Sequence, residues 1–223
     1  KMPDLENPVQ ETLLSRHRAE PCTVVIRADG DEVARATIPE NKEESVRLSL
    51  VKPWSPTDPF LYDLEVRLAS GDRVTSYFGL RTIRVGKDPK KPDGPNRLLL
   101  NGKPLFQFGP LDQGWWPDGL YTAPTDSALL YDIEMTRRLG FNMCRNHVKV
   151  EPERWYYHCD REGILVWQDM PSGDANPKWQ TRNYFNGQEL QRSQKSEQNF
   201  IQEWKEIMDL TYSNPSVVVL VPF

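Results

Sequence analysis

The chain has 223 residues, of which 28 are Lys or Arg and 32 are Asp or Glu, and its formal net charge is −4. A mildly acidic chain without a basic block matches the phosphate backbone of nucleic acids poorly, so we expect no nucleic-acid partner. No apolar stretch approaches the roughly 20 residues that a membrane helix needs, so we expect no membrane partner either.

The N-terminal part of the chain reads as β-structure, with short apolar segments separated by turns. Strands are predicted at 23–28, 33–38, 45–51 and 61–68, with one long strand region at 73–85. Asp29-Gly30-Asp31 is a hairpin signal between the first two. This spacing predicts an antiparallel, immunoglobulin-like β-sandwich. Such sandwiches have about seven strands, so we expect N-terminal strands to be missing from this chain.

A polar, proline-rich segment at 87–97 is the best candidate for a domain boundary. After it, Asn101-Gly102 predicts a tight hairpin with a type I′ turn, because Asn and Gly tolerate the positive φ angles that this turn requires. We therefore expect a sandwich domain at 1–86, a linker at 87–97 and a second domain at 98–223.

Strands alternate with helices in the second domain. Helices are predicted at 125–139, 152–163 and 193–213, and strands at 103–108, 141–145, 164–167 and 217–221. Repeated strand–helix units predict a parallel sheet with the helices outside it. The second domain contains four such strands. Residues 171–192 are polar and irregular, which predicts a long loop.

Buried, structural roles are predicted for the cysteines and for one tryptophan. Cys22, Cys144 and Cys159 lack metal-binding spacing, and we predict that they are buried free thiols. We predict that Trp54 packs in the core of the sandwich. No metal-ligand set is evident in the sequence, and no cofactor is predicted.

Candidate binding residues follow from the rule that ligand sites of parallel α/β sheets lie at the C-terminal ends of the strands. Charged and aromatic side chains follow the first three predicted strands: Asp112, Trp115, Trp116, Asp118, Arg145, His147, Lys149 and Asp169. Each also has a structural interpretation, as a rim ion pair, a satisfied loop residue, a packed ring or a carboxylate that shapes a turn.

Three motifs stand in a specific order along the chain: Trp54-Ser-Pro56-Thr-Asp-Pro59-Phe-Leu61-Tyr62-Asp-Leu64, Phe78-Gly79-Leu80-Arg81-Thr-Ile83 and Leu100-Asn101-Gly102-Lys103-Pro104. Together they resemble glycoside hydrolase family 2, the family of β-galactosidases, β-glucuronidases and β-mannosidases. Segments 140–145, 160–167 and 214–217 are similar to the family as well, so the resemblance covers residues 45–223.

The resemblance implies that the second domain is the first half of a (β/α)8 TIM barrel, which is incomplete because closure takes about eight strands. It also implies a carbohydrate substrate, and sugar sites combine carboxylates, amides, Arg or His with Trp platforms, as the candidate binding residues do. The resemblance further implies a role for several residues of the second domain. Arg145 matches the family's strand-two Arg, which orients and charge-stabilises the nucleophile carboxylate. His147 resembles a substrate-contacting His, although the family often shows Arg-x-x-His where this chain has Arg145-Asn-His147. Asp169 stands where many members have Glu. The acid/base Glu is expected just after Phe223 and the nucleophile Glu later, so neither catalytic residue is expected within this chain.

We therefore interpret the chain as part of a retaining exo-β-glycosidase, β-galactosidase-like, that hydrolyses O-glycosidic bonds of carbohydrates and is inactive as this fragment alone. The expected partners are a carbohydrate substrate and the remaining half of the barrel, or a homo-oligomer, which would cover the exposed strand edges. The alternatives are a non-catalytic carbohydrate-binding or scaffold protein and a family member specific for a mannoside or glucuronide. Relatives of this kind are often periplasmic or extracellular, but no leader is visible here, so the location stays unassigned.

Overall fold

The computed structural model describes residues 9–12, 20–39, 42–171 and 193–222, which form a β-sandwich followed by an α/β domain. The strands are β1 (Val9–Thr12), β2 (Cys22–Ala28), β3 (Asp31–Ile38), β4 (Glu43–Val46), β5 (Tyr62–Leu68), β6 (Arg73–Phe78), β7 (Ile83–Lys87), β8 (Asn96–Leu100), β9 (Lys103–Pro104), β10 (Leu111–Asp112), β11 (Met143–Asn146), β12 (Leu165–Asp169) and β13 (Val217–Val221). The helices are α1 (Asp126–Arg138), α2 (Glu153–Glu162) and α3 (Gln194–Thr211). The loop predicted at 171–192 lies outside the described residues except for its first residue.

The sandwich contains an antiparallel sheet of order β3-β2-β5-β6 and a second pair, β1 with β4. The predicted hairpin between β2 and β3 is confirmed, and its turn has positive φ angles at Asp29 and Gly30. Alternate residues of β2 and β5 point inward, which places Val24, Ile26 and Leu64 in one buried cluster. The predicted strand 45–51 ends early, because β4 stops at Val46.

The region 73–85, predicted as one strand, consists of two strands in different sheets. β6 pairs with β5, whereas β7 pairs with β8. The backbone between them bonds elsewhere: Trp54 N donates to Leu80 O at 2.7 Å, and Thr82 N donates to Asn101 Oδ1 at 3.0 Å. The alternating pattern cannot reveal this break, because both strands carry a β-type sequence.

The segment predicted as a linker joins two paired strands. β7 and β8 run antiparallel, with Lys87 opposite Asn96, so residues 88–95 form the loop of a hairpin. The next hairpin, β8 to β9, turns at Asn101 and Gly102, whose φ angles are 50° and 75°, as predicted for its type I′ turn. The division into domains 1–86 and 98–223 stays a prediction.

The second half of the chain contains a parallel sheet of order β10-β11-β12-β13, with one helix between each pair of successive strands. The alternation of strands and helices is therefore confirmed. The first strand is misplaced in the prediction: it is β10 at 111–112 rather than 103–108, of which only two residues pair, as β9. The predicted stop of the second helix is confirmed, since Gly163 caps α2 in the left-handed conformation.

Trp54 is fully buried, as predicted, but it does not belong to the sandwich core. Its ring packs in a cluster with Leu100, Met143, Leu165 and Val218, where the sandwich meets the parallel sheet. Its indole Nε1 donates to Asp160 O on α2 at 2.8 Å. The three cysteines are buried and free, as predicted. Within the described ranges, no helix is both long and apolar enough for a membrane span.

The N-cap of α1 offers a small, well-defined test of the local structure. Thr125 Oγ1 accepts a hydrogen bond from Ala128 N at 3.1 Å, which satisfies one of the free amides at the helix start. We expect Thr125→Ala to lower the free energy of unfolding by about 1 kcal/mol. Urea denaturation measures this change, and Thr125→Ser, which keeps the acceptor, should stay close to the wild type. Equal losses in both variants would contradict the capping role.

Candidate functional site

Polar side chains occupy both faces of the parallel sheet where β11 and β12 end. Arg145 lies opposite Trp167 in the register, and Asn146 lies opposite Gln168. Because successive side chains of a strand alternate between faces, Arg145, Trp167 and Asp169 share one face, here called the inner face. The other side, the helix face, carries Cys144 and Val166, which pack against Leu129 and Ile133 of α1 and Trp155 of α2.

The inner face holds a buried ion pair. Arg145 Nε donates to both carboxylate oxygens of Asp169, at 2.8 and 3.1 Å. Asp169 is fully buried, whereas the Arg145 side chain is 32% exposed. The hydrogen bond to Asp169 raises the pKa of Arg145, so the guanidinium stays charged. His147 Nε2 lies 4.0 Å from Asp169 Oδ2. The structure thus brings together three of the residues that the strand-end rule selects.

Two further inner-face groups were missed by the sequence analysis. Trp167 Nε1 donates to Gln107 Oε1 at 2.6 Å. The Gln107 amide nitrogen is buried and has no hydrogen-bond partner among the described residues. Gln107 lies before β10 rather than after it, so a rule based on C-terminal strand ends does not select it.

A second polar cluster surrounds Lys149 and lies on the helix face. Lys149 Nζ contacts Glu151 Oε1 at 2.6 Å, Asp112 Oδ1 at 3.0 Å and Gly114 O at 3.0 Å. Burial opposes the charged form of Lys149, but its two carboxylate partners outweigh burial and raise its pKa. Burial raises the pKa of Glu151. Asp112 lies opposite Asn146 in the register, so Asp112 and Lys149 meet each other on the side of the sheet away from Arg145.

A cavity of about 90 Å³ adjoins this cluster. Its lining combines charged groups with aromatic and aliphatic ones: Asp112, Gly114, Trp115, Trp116, Leu129, Asp132, Lys149, Glu151 and Trp155. Leu129 and Trp155 belong to the helix-face core, so the cavity lies between the sheet edge and α1 and α2. Burial is the main cause that raises the pKa of Asp132, and the nearby Asp112 carboxylate adds to it.

The two adjacent tryptophans have different environments. Trp116 is half-buried and packs against the helix-face core. Trp115 is 64% exposed, and its ring stacks on Tyr121 at 6.2 Å between centroids. Asp118 is exposed in a tight turn that two backbone hydrogen bonds between Trp116 and Leu120 close. Trp115 is therefore the more accessible of the two rings, although both line the cavity.

A buried amide network links the ends of β11 and β12 on the helix face. Gln168 and Asn146 are fully buried, and Asn146 Nδ2 donates to Gln168 Oε1 at 2.9 Å. Tyr156 OH donates to the same oxygen at 2.6 Å. Asn146 and Gln168 directly follow two predicted strands, but the sequence does not reveal the network because its members are distant in the chain. Among the described residues, His, Cys, Asp and Glu side chains form no group of three or more that could hold a metal ion.

Comparisons with known proteins point to one family. Residues 7–81 match the family model of glycosyl hydrolases family 2. The β-mannosidase B of Aspergillus oryzae is 30% identical over 166 residues, and the β-galactosidase BgaC of Bifidobacterium adolescentis is 25% identical over 207 residues. These comparisons support glycosyl hydrolase family 2. The chain is aligned over 67% and 86% of its length with these two relatives but covers only 19% and 18% of theirs.

Solved structures show the same fold. The β-D-glucuronidase of Dictyoglomus thermophilum superposes with a TM-score of 0.71 at 23% identity, over 97% of this chain and 38% of that one. The β-galacturonidase of Eisenbergiella tayi superposes with a TM-score of 0.67 at 24% identity, over 91% and 34%. At this identity the likeness shows the fold alone, a sandwich followed by an α/β domain.

Proposed function

We propose that this chain is part of a retaining exo-β-glycosidase, β-galactosidase-like, that hydrolyses O-glycosidic bonds of carbohydrates. The observation that carries the proposal is the Arg145–Asp169 ion pair, with His147 beside it, on the inner face at the C-terminal ends of parallel strands. This is where barrel enzymes bind and transform their substrates. The β-galactosidase and β-mannosidase relatives support a carbohydrate substrate.

The parallel sheet corresponds, in this proposal, to the first four strands of a (β/α)8 barrel, within the domain at 98–223. The remaining strands, or a homo-oligomer, would cover the sheet edges. Retaining hydrolysis takes two carboxyl groups about 5–5.5 Å apart, one as nucleophile and one as acid and then base. Because the chain covers about a fifth of its relatives' length, we assign both groups to a longer protein and none to this chain.

The contribution of this chain is then to bind and to orient. The Arg145 guanidinium, fixed by Asp169, presents positive charge to the inner face and orients the nucleophile carboxylate. His147 binds substrate hydroxyls, and Trp115 offers an exposed ring for a sugar's C–H face. Asp169, which the sequence predicts to contact substrate, is fully buried, so its role here is to hold Arg145 in place. The loop that follows β10 is lined or shaped by Asp112, Asp118, Lys149 and Trp116. We therefore assign these residues to this loop rather than to the inner face.

Assays of the complete gene product that carries this chain test the proposal. We expect turnover of one member of a panel of 4-nitrophenyl β-galactoside, β-mannoside and β-glucuronide, and product of unchanged anomeric configuration by NMR. The 223-residue chain alone should turn over none of them. The β-mannoside is the second candidate substrate, since a β-mannosidase B is among the relatives. Sugar binding without hydrolysis by the complete protein would contradict the proposal and indicate a binding or scaffold protein.

A further inference from the structure

A strained turn directly follows His147, one of the three residues that come together on the inner face. Val148, which follows His147, has a φ of 50°. This left-handed region is unfavourable for a β-branched residue, and such strain persists only where the surroundings hold it. The turn therefore needs anchors on either side of Val148.

One side chain anchors this turn to the end of β12. Gln168 Nε2 donates to Lys149 O at 2.7 Å and to Asp169 O at 2.8 Å. Its Oε1 accepts from Asn146 Nδ2 and Tyr156 OH, so all the hydrogen-bonding capacity of the amide is used. The residue is fully buried, and a side chain with four such partners has one orientation.

We propose that Gln168 is a positioning residue, which holds the strained turn at Val148 and thereby sets His147 and Arg145 against Asp169. Its amide fastens the carbonyl of Lys149, two residues after His147, to the carbonyl of Asp169 itself. On the other side of Val148, His147 N donates to Asp112 O at 2.9 Å, which fixes the entry to the turn. The inference rests on the proposed function for its kinetic part, whereas its structural part stands on these contacts.

The test uses a pair of substitutions that act on the same turn. Gln168→Leu removes the amide that bonds to the carbonyls of Lys149 and Asp169, here called the clamp. We expect kcat/KM of the complete protein to fall roughly 10- to 100-fold on the glycoside that it turns over, since small misplacements of site groups have effects of this size. Val148→Gly makes a positive φ unstrained, so the turn no longer needs the clamp. We therefore expect Val148→Gly to restore most of the activity in the double variant, with a non-additive cycle.

Two controls separate positioning from loss of packing. Ile133→Val removes one methylene from the helix-face core and should lower the melting temperature without changing kcat/KM where the protein is folded. Tyr156→Phe leaves both donors of the Gln168 amide in place and should have a smaller effect than Gln168→Leu. Loss of activity in Gln168→Leu that Val148→Gly does not restore would overturn the proposal, as would an unchanged kcat/KM.

A second readout is independent of activity. In Gln168→Leu, hydrogen exchange of the His147 amide should accelerate, and Val148→Gly should slow it again. If the wild type hydrolyses no glycoside, the proposed function fails, and hydrogen exchange alone tests the role of Gln168. Faster exchange of the His147 amide in Gln168→Leu then supports this role, and an unchanged rate overturns it. If hydrolysis is present and exchange is unchanged, the clamp is wrong while the proposed function stands.

Discussion

Replacing Arg145 with alanine is expected to reduce kcat/KM of the complete protein, on the glycoside substrate that we propose for it, by roughly 10²- to 10³-fold, the effect of removing one preorganised charge from an active site. The substitution also leaves the fully buried Asp169 carboxylate without its guanidinium. Because the Arg145 side chain is 32% exposed, we expect the free energy of unfolding to fall by less than the roughly 3–5 kcal/mol that breaking a fully buried ion pair costs. Activity is therefore measured at a temperature where circular dichroism shows the variant folded.

Two further variants make this result specific. Arg145→Lys keeps the charge but loses the planar Nε that donates to both Asp169 oxygens, so it should retain an intermediate activity. Arg161→Ala is the matched control, because Arg161 is an exposed arginine on α2 and should leave kcat/KM unchanged. Full activity of a folded Arg145→Ala protein would refute the assignment of the inner face as the active site.

The sequence predicts element types well where the local chemistry is strong. Thr125 and Gly163 mark the ends of two helices because their preferred backbone geometries are those that caps require. The sequence also places Arg145 and Asp169 near the ends of two parallel strands, although it does not predict that they pair. These features depend on residues near in sequence or on a regular repeat, and a repeat can be counted without coordinates.

Which face a residue occupies is predicted less well. The first parallel strand begins at Leu111 rather than near residue 103, and every face assignment in a strand depends on its register. The sequence therefore selects Asp112 and Lys149 as strand-end residues but gives no indication that they lie on the helix face, opposite Arg145. The break between β6 and β7 is hidden for a related reason: the backbone of Leu80 bonds to Trp54, a partner distant in the chain.

No local sequence pattern predicts the interactions between the sandwich and the parallel sheet. Asp160 on α2 is fully buried and makes several of these interactions. Its Oδ2 accepts from Tyr77 OH at 2.9 Å and Asn214 Nδ2 at 2.7 Å, and its Oδ1 accepts from Ser216 N at 2.9 Å. Tyr77 belongs to β6 of the sandwich, whereas Asn214 and Ser216 lead into β13. One carboxyl group thus joins three elements.

We expect Asp160→Ala to lower the free energy of unfolding by about 3–5 kcal/mol, because one buried donor and two half-buried donors lose their acceptor at about 1–3 kcal/mol each and partial relaxation recovers some of this. Urea denaturation of the complete protein, followed by circular dichroism, measures the loss. Asp63→Ala, at an exposed position on β5, is the control and should change stability by less than about 0.5 kcal/mol. If Asp160→Ala and Asp63→Ala unfold at the same urea concentration, the hydrogen bonds of Asp160 do not stabilise the protein.

The same group makes stability depend on pH in a definite direction. Burial raises the pKa of Asp160 from 3.8 to about 6, although its hydrogen bonds from Ser216, Asn214 and Tyr77 act to lower it. The folded state therefore binds more protons than the unfolded state between these two values. The stabilisation that this shifted pKa of Asp160 provides is fully present below pH 3.8 and is lost as pH rises through about 6.

Asp160→Asn isolates this dependence from the other carboxyl groups. The amide resembles the protonated acid in shape and does not titrate, so the variant should lack the decline that Asp160 causes. The difference in unfolding free energy between variant and wild type should shift by up to about 3 kcal/mol in favour of the variant from acid to neutral pH. If the wild type instead gains stability relative to Asp160→Asn as pH rises, the native carboxyl is ionised, and its hydrogen bonds outweigh its burial.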